Sequence, residues 1–170
     1  MNKFNVKHNY LFLVLLINLM QQGCEEQGLN PNNVSEPGFG GTISYISKIP
    51  VDSLQDLRIV AVPYFPVDTT FEEVLAKIID RVIAYSENIT STADSGKSVE
   101  YKLYVKPQTY SYVAIVQQYG SNELHDWRVV SVYGYSPSIL NPKSVVVRDG
   151  DFTKGINFTV DFYNLPPQPF

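Results

Sequence analysis

From Gly41 onward, apolar residues recur at every second position in one short segment after another, with Pro, Gly and Asp at the breaks. This period of two constrains the fold more than any other feature, because successive side chains of a strand point to opposite faces. Val99, Tyr101, Leu103 and Val105 therefore share one face, and Glu100, Lys102 and Tyr104 the other. Ile156, Phe158, Val160 and Phe162 alternate in the same way with Asn157, Thr159, Asp161 and Tyr163. Residues 41–47, 127–135 and 144–148 read as further strands. Residues 56–63 (DLRIVAVP) and 110–119 (YSYVAIVQQY) are apolar on both faces, which is the pattern of a central strand covered from two sides. With 13 % aromatics, twelve of them Tyr, and 18 % charged residues, the composition favours a β-domain.

One stretch departs from this period. Phe71, Val74, Leu75, Ile78, Ile79, Val82 and Ile83 stand at helical spacing, and Thr70 with Glu73 fits a capping box. The spacing predicts a helix near 70–80. The β-branched tail up to Tyr85 is open to a strand instead. One apolar stripe needs a partner surface, so the helix is expected as a crossover lying on a sandwich of two antiparallel sheets. The tail Leu165-Pro166-Pro167-Gln168-Pro169-Phe170 is polyproline-like and cannot extend a sheet.

The N-terminus carries a different message. Lys3 and Lys7 precede an apolar run from Leu11 to Leu19, then Gly23 and the single cysteine, Cys24, followed by Glu25-Glu26. A basic segment, a short apolar run and a small residue mark a secretory signal. This nine-residue run would reach only about 14 Å as a helix, against a bilayer core of ~30 Å. Residues 1–23 are read as the signal and 24–39 as a polar tether, with the folded domain, 40–170, starting near Gly40-Gly41. Gly38-Phe39-Gly40-Gly41 is read as a flexible joint. With one thiol no internal disulfide forms, and 147 residues suffice to bury a core without one. The chain has net charge −4, and −6 without Lys3 and Lys7. An acidic chain weighs against nucleic-acid binding and against capture of anionic lipid through the protein surface.

Gly23-Cys24 resembles the lipobox of bacterial lipoproteins, in which the Cys becomes the acylated first residue. Glu25-Glu26 looks like the acidic export signal of Bacteroidetes-type surface lipoproteins. An ordinary cleaved signal with a chance cysteine is the alternative. Gly41-Thr-Ile-Ser-Tyr45, Asp56 to Pro63, Thr109 to Ala114, and Gly155 to Phe162 with Asn164-Leu-Pro-Pro167 together resemble the transthyretin-like or carboxypeptidase-regulatory-like sandwiches of bacterial envelope lipoproteins. That resemblance implies a prealbumin-like or Ig-like sandwich acting as a structural or binding module. It implies a lipid anchor at Cys24 in the outer membrane, facing the periplasm or the cell surface, and no cofactor.

Candidates for chemistry are few. Once residues 1–23 are removed, His125 is the single histidine, in the polar loop 121–126, and a hydrolase would use it as general base or else rely on an acidic pair. Glu72-Glu73 and Asp149/Asp151 are the closest acidic pairs. Asp149-Gly150-Asp151 offers carboxylates to Ca²⁺, but Thr153 and Val160 stand where an EF-hand loop needs acids, so a turn is the expected reading. Asn33, Asn88 and Asn157 head N-glycosylation sequons, read as chance matches in a bacterial lipoprotein, and Asp52-Ser53-Leu54 and Asp68-Thr69-Thr70 resemble a Bacteroidetes O-glycosylation pattern. Tyr104, Tyr119, Tyr133, Tyr135 and Tyr163 are the candidate binding face, while Trp127 is expected in the core. The sequence thus favours a non-catalytic, lipid-anchored envelope module that binds a protein or polysaccharide. A structural or assembly subunit of an outer-membrane complex is the second reading, and a hydrolase the third.

Overall fold

A computed structural model describes residues 35–67, 70–135 and 141–169. Cys24, the signal and most of the tether lie outside these residues. Among the described residues, ten strands and one α-helix follow in order: β1 (Gly38–Tyr45), β2 (Asp56–Val62), α1 (Phe71–Ile79), β3 (Ala84–Tyr85), β4 (Ser98–Tyr104), β5 (Gln108–Tyr110), β6 (Tyr112–Gln118), β7 (Trp127–Val132), β8 (Val145–Val147), β9 (Phe152–Thr153) and β10 (Phe158–Val160). One sheet runs β10-β1-β4 with β9 also on β1, the second runs β3-β2-β6-β7, and β5 and β8 form a two-stranded ribbon. This is the expected mainly-β sandwich of two sheets with one helix.

The faces follow the sequence pattern. Phe39, Ile43 and Tyr45 of β1, Leu103 of β4, and Phe158 and Val160 of β10 meet Leu57, Ile59 and Ala61 of β2 and Val113 and Ile115 of β6 in the core between the sheets. Phe39 centres an aromatic group, with Tyr101 edge-on at 6.4 Å and Tyr110 at 6.2 Å. The opposite faces of β2 and β6 are also apolar. Val62, Tyr112 and Ala114 form a second, smaller core with Val129, and Val74 and Ile78 of α1 pack against it. That is why these two strands show no alternation in polarity: each is covered on both sides.

Three details differ from the sequence reading. The first strand begins at Gly38, before the expected boundary, and Gly38 to Gly41 pair opposite Tyr104 to Tyr101 rather than forming a joint. A Cβ on Gly40 would stand 2.5 Å from the carbonyl oxygen of Tyr101, so glycine here admits close backbone approach. Second, β1 is not flanked by antiparallel partners alone: β9 and β10 both run parallel to it, on the edge away from β4. The bend between them is bridged by Asn157, whose Oδ1 accepts from the Thr42 N–H at 2.9 Å. Third, the expected strand 110–119 breaks at Ser111, whose hydroxyl donates to the Pro63 carbonyl at 3.1 Å. A regular strand would put Tyr110 and Tyr112 on one face. The break sends Tyr110 into the main core and Tyr112 into the outer one.

The helix is built as its sequence indicates. The Thr70 hydroxyl accepts from the Glu73 N–H at 3.4 Å, and Glu72, Glu73 and Lys77 complement the helix dipole. At its end Arg81 adopts φ +57°, while the N–H groups of Arg81 and Val82 return to the carbonyls of Ile78 and Lys77. This is a Schellman close with a non-glycine residue in the left-handed position. It turns the β-branched tail into β3, which pairs with β2 at the sheet edge. The proline tail extends no sheet, yet it is fixed: the Gln168 amide accepts from the Val129 N–H at 2.7 Å and donates to the Val129 carbonyl at 3.1 Å. A single side chain thereby satisfies part of the open edge of β7.

Candidate functional site

Two concavities flank α1 and β3. The first is an open groove of about 770 Å³ that runs where the edge of β3 faces the edge of β4. Tyr85 of β3 and Tyr104 of β4 line it, with Arg81 and Val82 from the end of α1 on one side and Glu36 and Lys106 on the other. Tyr104 is 55 % exposed, as its alternation with Glu100 and Lys102 predicted, and its ring leans on Phe152 at 5.7 Å. Tyr85 is 48 % exposed, and the Arg58 guanidinium lies 5.6 Å from its ring centre. Ile79 and Val82 continue the apolar surface into the groove.

The second is a half-open pocket of about 260 Å³ between α1 and the outer face of the β3-β2-β6-β7 sheet, adjoining the groove at Ile78, Ile83 and Tyr85. Its walls are Val60, Val74, Ile78, Tyr112, Val116 and Val129, and Trp127, Leu124, Glu123 and Pro169 stand around it. The Tyr112 hydroxyl is closed off from water and has no hydrogen-bond partner among the described residues, and burial pushes its pKa well above that of a free tyrosine. Arg58, at the pocket, is already committed. It holds Asp56 at 2.7 Å and reaches the Ser86 carbonyl at 3.3 Å.

The five tyrosines of the expected binding face do not converge. Tyr104 lies in the groove. Tyr119, 41 % exposed, follows β6 and packs under Arg128 at 5.4 Å. Tyr133 is half-buried against the main core, with its ring edge-on to Phe158 at 6.3 Å. Tyr135 lines a separate cleft with Asp161, and Tyr163 is exposed in the turn after β10. Among the described residues no ring contact joins any two of the five. The turn at Gly134, with φ +70°, ends the alternation that would have kept Tyr133 and Tyr135 in one strand with Trp127. Trp127 itself is half-buried rather than core: it opens β7 opposite Gln118, and its indole N–H donates to the Glu123 carbonyl at 2.7 Å. Tyr85 escaped the sequence reading because its exposure follows from an edge position, which pairing decides.

His125 sits exposed in a turn organised by Asn122, whose Oδ1 accepts from the backbone N–H groups of Leu124 and His125. It lines neither the groove nor the pocket. Asp149 and Asp151 flank Gly150, at φ +66°, in a turn closed by the Asp151 N–H on the Arg148 carbonyl at 3.3 Å. Both acids are exposed there. No protein family matches this chain, and neither the curated proteins nor the solved structures give a match.

Proposed function

We propose that this chain is a non-catalytic binding module, held in the outer membrane of a bacterial envelope by lipid on Cys24, and that the groove between β3 and β4 captures a polysaccharide. The observation that carries the reading is the pair Tyr85 and Tyr104, two half-exposed rings presented by the edges of different sheets on one open groove. Flat aromatic rings offer large, rigid contact area at low entropic cost, and polar neighbours such as Arg81, Lys106 and Glu36 supply hydrogen bonds to hydroxyl groups. The acidic net charge favours a neutral glycan over a polyanion. The likeness of the strand pattern to transthyretin-like lipoprotein sandwiches agrees with a binding or structural role. His125 lines neither concavity, in keeping with a reading without catalysis.

Calorimetric titration with soluble envelope polysaccharides tests the groove. Tyr104→Ala and Tyr85→Ala are each expected to weaken capture about tenfold, on the order of 1.4 kcal/mol, with the fold intact. Equal affinity in both variants would refute it. Capture of an envelope protein through the same tyrosines would favour the assembly reading. Mass spectrometry of the mature N-terminus tests the anchor: an acylated Cys24 is expected, and Cys24→Ser should release or stall the chain, since stable anchoring takes more than one acyl chain.

A further inference from the structure

We infer that two copies of this chain pair through the outer edge of β4, antiparallel and about a two-fold axis at Tyr101, so that the β10-β1-β4 sheet of one copy runs on into that of the other. Glu100 and Lys102, the central pair of this surface, line neither concavity, and the pairing does not depend on glycan capture.

The edge is long and open. β4 pairs with β1 along all of its 7 residues, and among the described residues no strand pairs with its other side. The register shows which groups are left over. Just beyond the two strand ends, the Val105 N–H reaches the Pro37 carbonyl at 3.0 Å and the Lys97 carbonyl accepts from the Tyr45 N–H at 2.9 Å. Odd-numbered residues therefore bond to β1, and the N–H and C=O groups of Ser98, Glu100, Lys102 and Tyr104 point away from it. Among the described residues these groups make no backbone hydrogen bond. The second sheet offers no comparable edge: β3 has only 2 residues, and the Gln168 amide already occupies β7 at Val129. Nor does β4 carry a proline or a bulge to blunt it.

Charge and symmetry decide for a second copy. Tyr101 is the midpoint of β4, so a two-fold axis there sets Ser98 opposite Tyr104, Val99 opposite Leu103 and Glu100 opposite Lys102 of the second copy. The residues whose backbone groups are free then oppose one another as hydrogen-bonded pairs, each exchanging two bonds. Glu100 and Lys102 are exposed and have no ion-pair partner among the described residues, and the axis brings them together twice. A lysine on an edge ordinarily keeps other strands away. Here the same pairing sets a glutamate against it, so the strand complements itself. The inner row agrees. Val99 and Tyr101 pack against the main core yet stay half-buried, while Leu103 is buried. A second β4 alongside covers the part of them that the open edge leaves exposed.

Sedimentation equilibrium of the full chain, kept reduced so that Cys24 links no copies, should show monomer and dimer in exchange. Glu100→Lys and Lys102→Glu each set like charges opposite one another twice, and each should weaken the dimer roughly tenfold. Both positions are exposed, so both variants should fold. An equal mixture of the two variants should recover the original affinity, because every charge at the axis then faces its opposite. Hydrogen exchange supplies the local signature: the amides of Glu100, Lys102 and Tyr104 should slow as the chain concentration rises. A chain that stays monomeric up to about 1 mM overturns the inference. Undiminished dimers in both variants overturn it too, since another surface would then join the copies. Slow exchange at those three amides in dilute monomer would show that a segment of the same chain covers the edge, and would overturn it as well.

Discussion

Raising the pH above about 10 should destabilise this domain steeply, and two tyrosines set the slope. Tyr101 packs half-buried against the main core, on Phe39 and Phe158, and its hydroxyl donates to the Ile156 carbonyl at 2.7 Å. Tyr112 lies in the outer core with its hydroxyl unpartnered among the described residues. Burial pushes both phenols far above the ordinary value of about 10. Below that value both are protonated in the folded and unfolded chain, and their contribution to stability is fully present. Above it the unfolded chain sheds two protons that the folded chain retains, so unfolding is driven as pH rises, until the folded values are passed. Each tyrosine costs about 1.4 kcal/mol per pH unit in that window, and the pair about 2.8 kcal/mol. Against a total of about 5–15 kcal/mol, one or two pH units are a large share. Burial raises Tyr45 and Tyr110 as well, which adds to the same trend. The assay is the urea midpoint, followed by circular dichroism from about pH 8 to about pH 11. Tyr101→Phe and Tyr112→Phe should each remove about half of the slope due to the pair. At about pH 8 they should part: Tyr101→Phe leaves the Ile156 carbonyl without its donor and costs about 1–3 kcal/mol, whereas Tyr112→Phe costs nothing. A urea midpoint that stays constant to about pH 11 would refute the reasoning.

Adjacent positions of β4 should respond oppositely. Leu103, 7 % exposed, should cost about 2–5 kcal/mol as Leu103→Ala and unfold the domain as Leu103→Asp, while Tyr104→Ala loses only its contact with Phe152, about 1 kcal/mol. Chemical denaturation reads both, and a reversed order would show the strand register to be wrong. Gln168→Ala should cost about 1–2 kcal/mol by freeing the Val129 backbone pair, with faster hydrogen exchange at the Val129 amide as the local signature. Unchanged exchange there would mean that the tail does not protect the β7 edge.

What the sequence determined by itself is local. Period-two alternation placed Leu103 inward and Tyr104 outward, and put Ile156, Phe158, Val160 and Phe162 in the core, because a strand's two faces are fixed by the pleat alone. Thr70, Glu73 and the 3.6-residue spacing fixed α1, since a cap and an amphipathic stripe lie within a dozen residues. The two-faced apolar runs of β2 and β6 announced that something covers both sides of the second sheet. Tertiary structure decided which edges meet. The parallel placement of β9 and β10 on β1, the joining of Tyr85 with Tyr104 across a groove, and the scattering of Tyr119, Tyr133, Tyr135 and Tyr163 all depend on pairings between distant segments. The pocket beside Trp127 and the orphaned Tyr112 hydroxyl arise the same way. A one-residue break at Ser111 moves Tyr112 to the outer face, and the reach of α1 leaves space above it. Alternation specifies a face, but closure of a cavity is set by how far two covering elements stand apart, and that distance is written in no single segment.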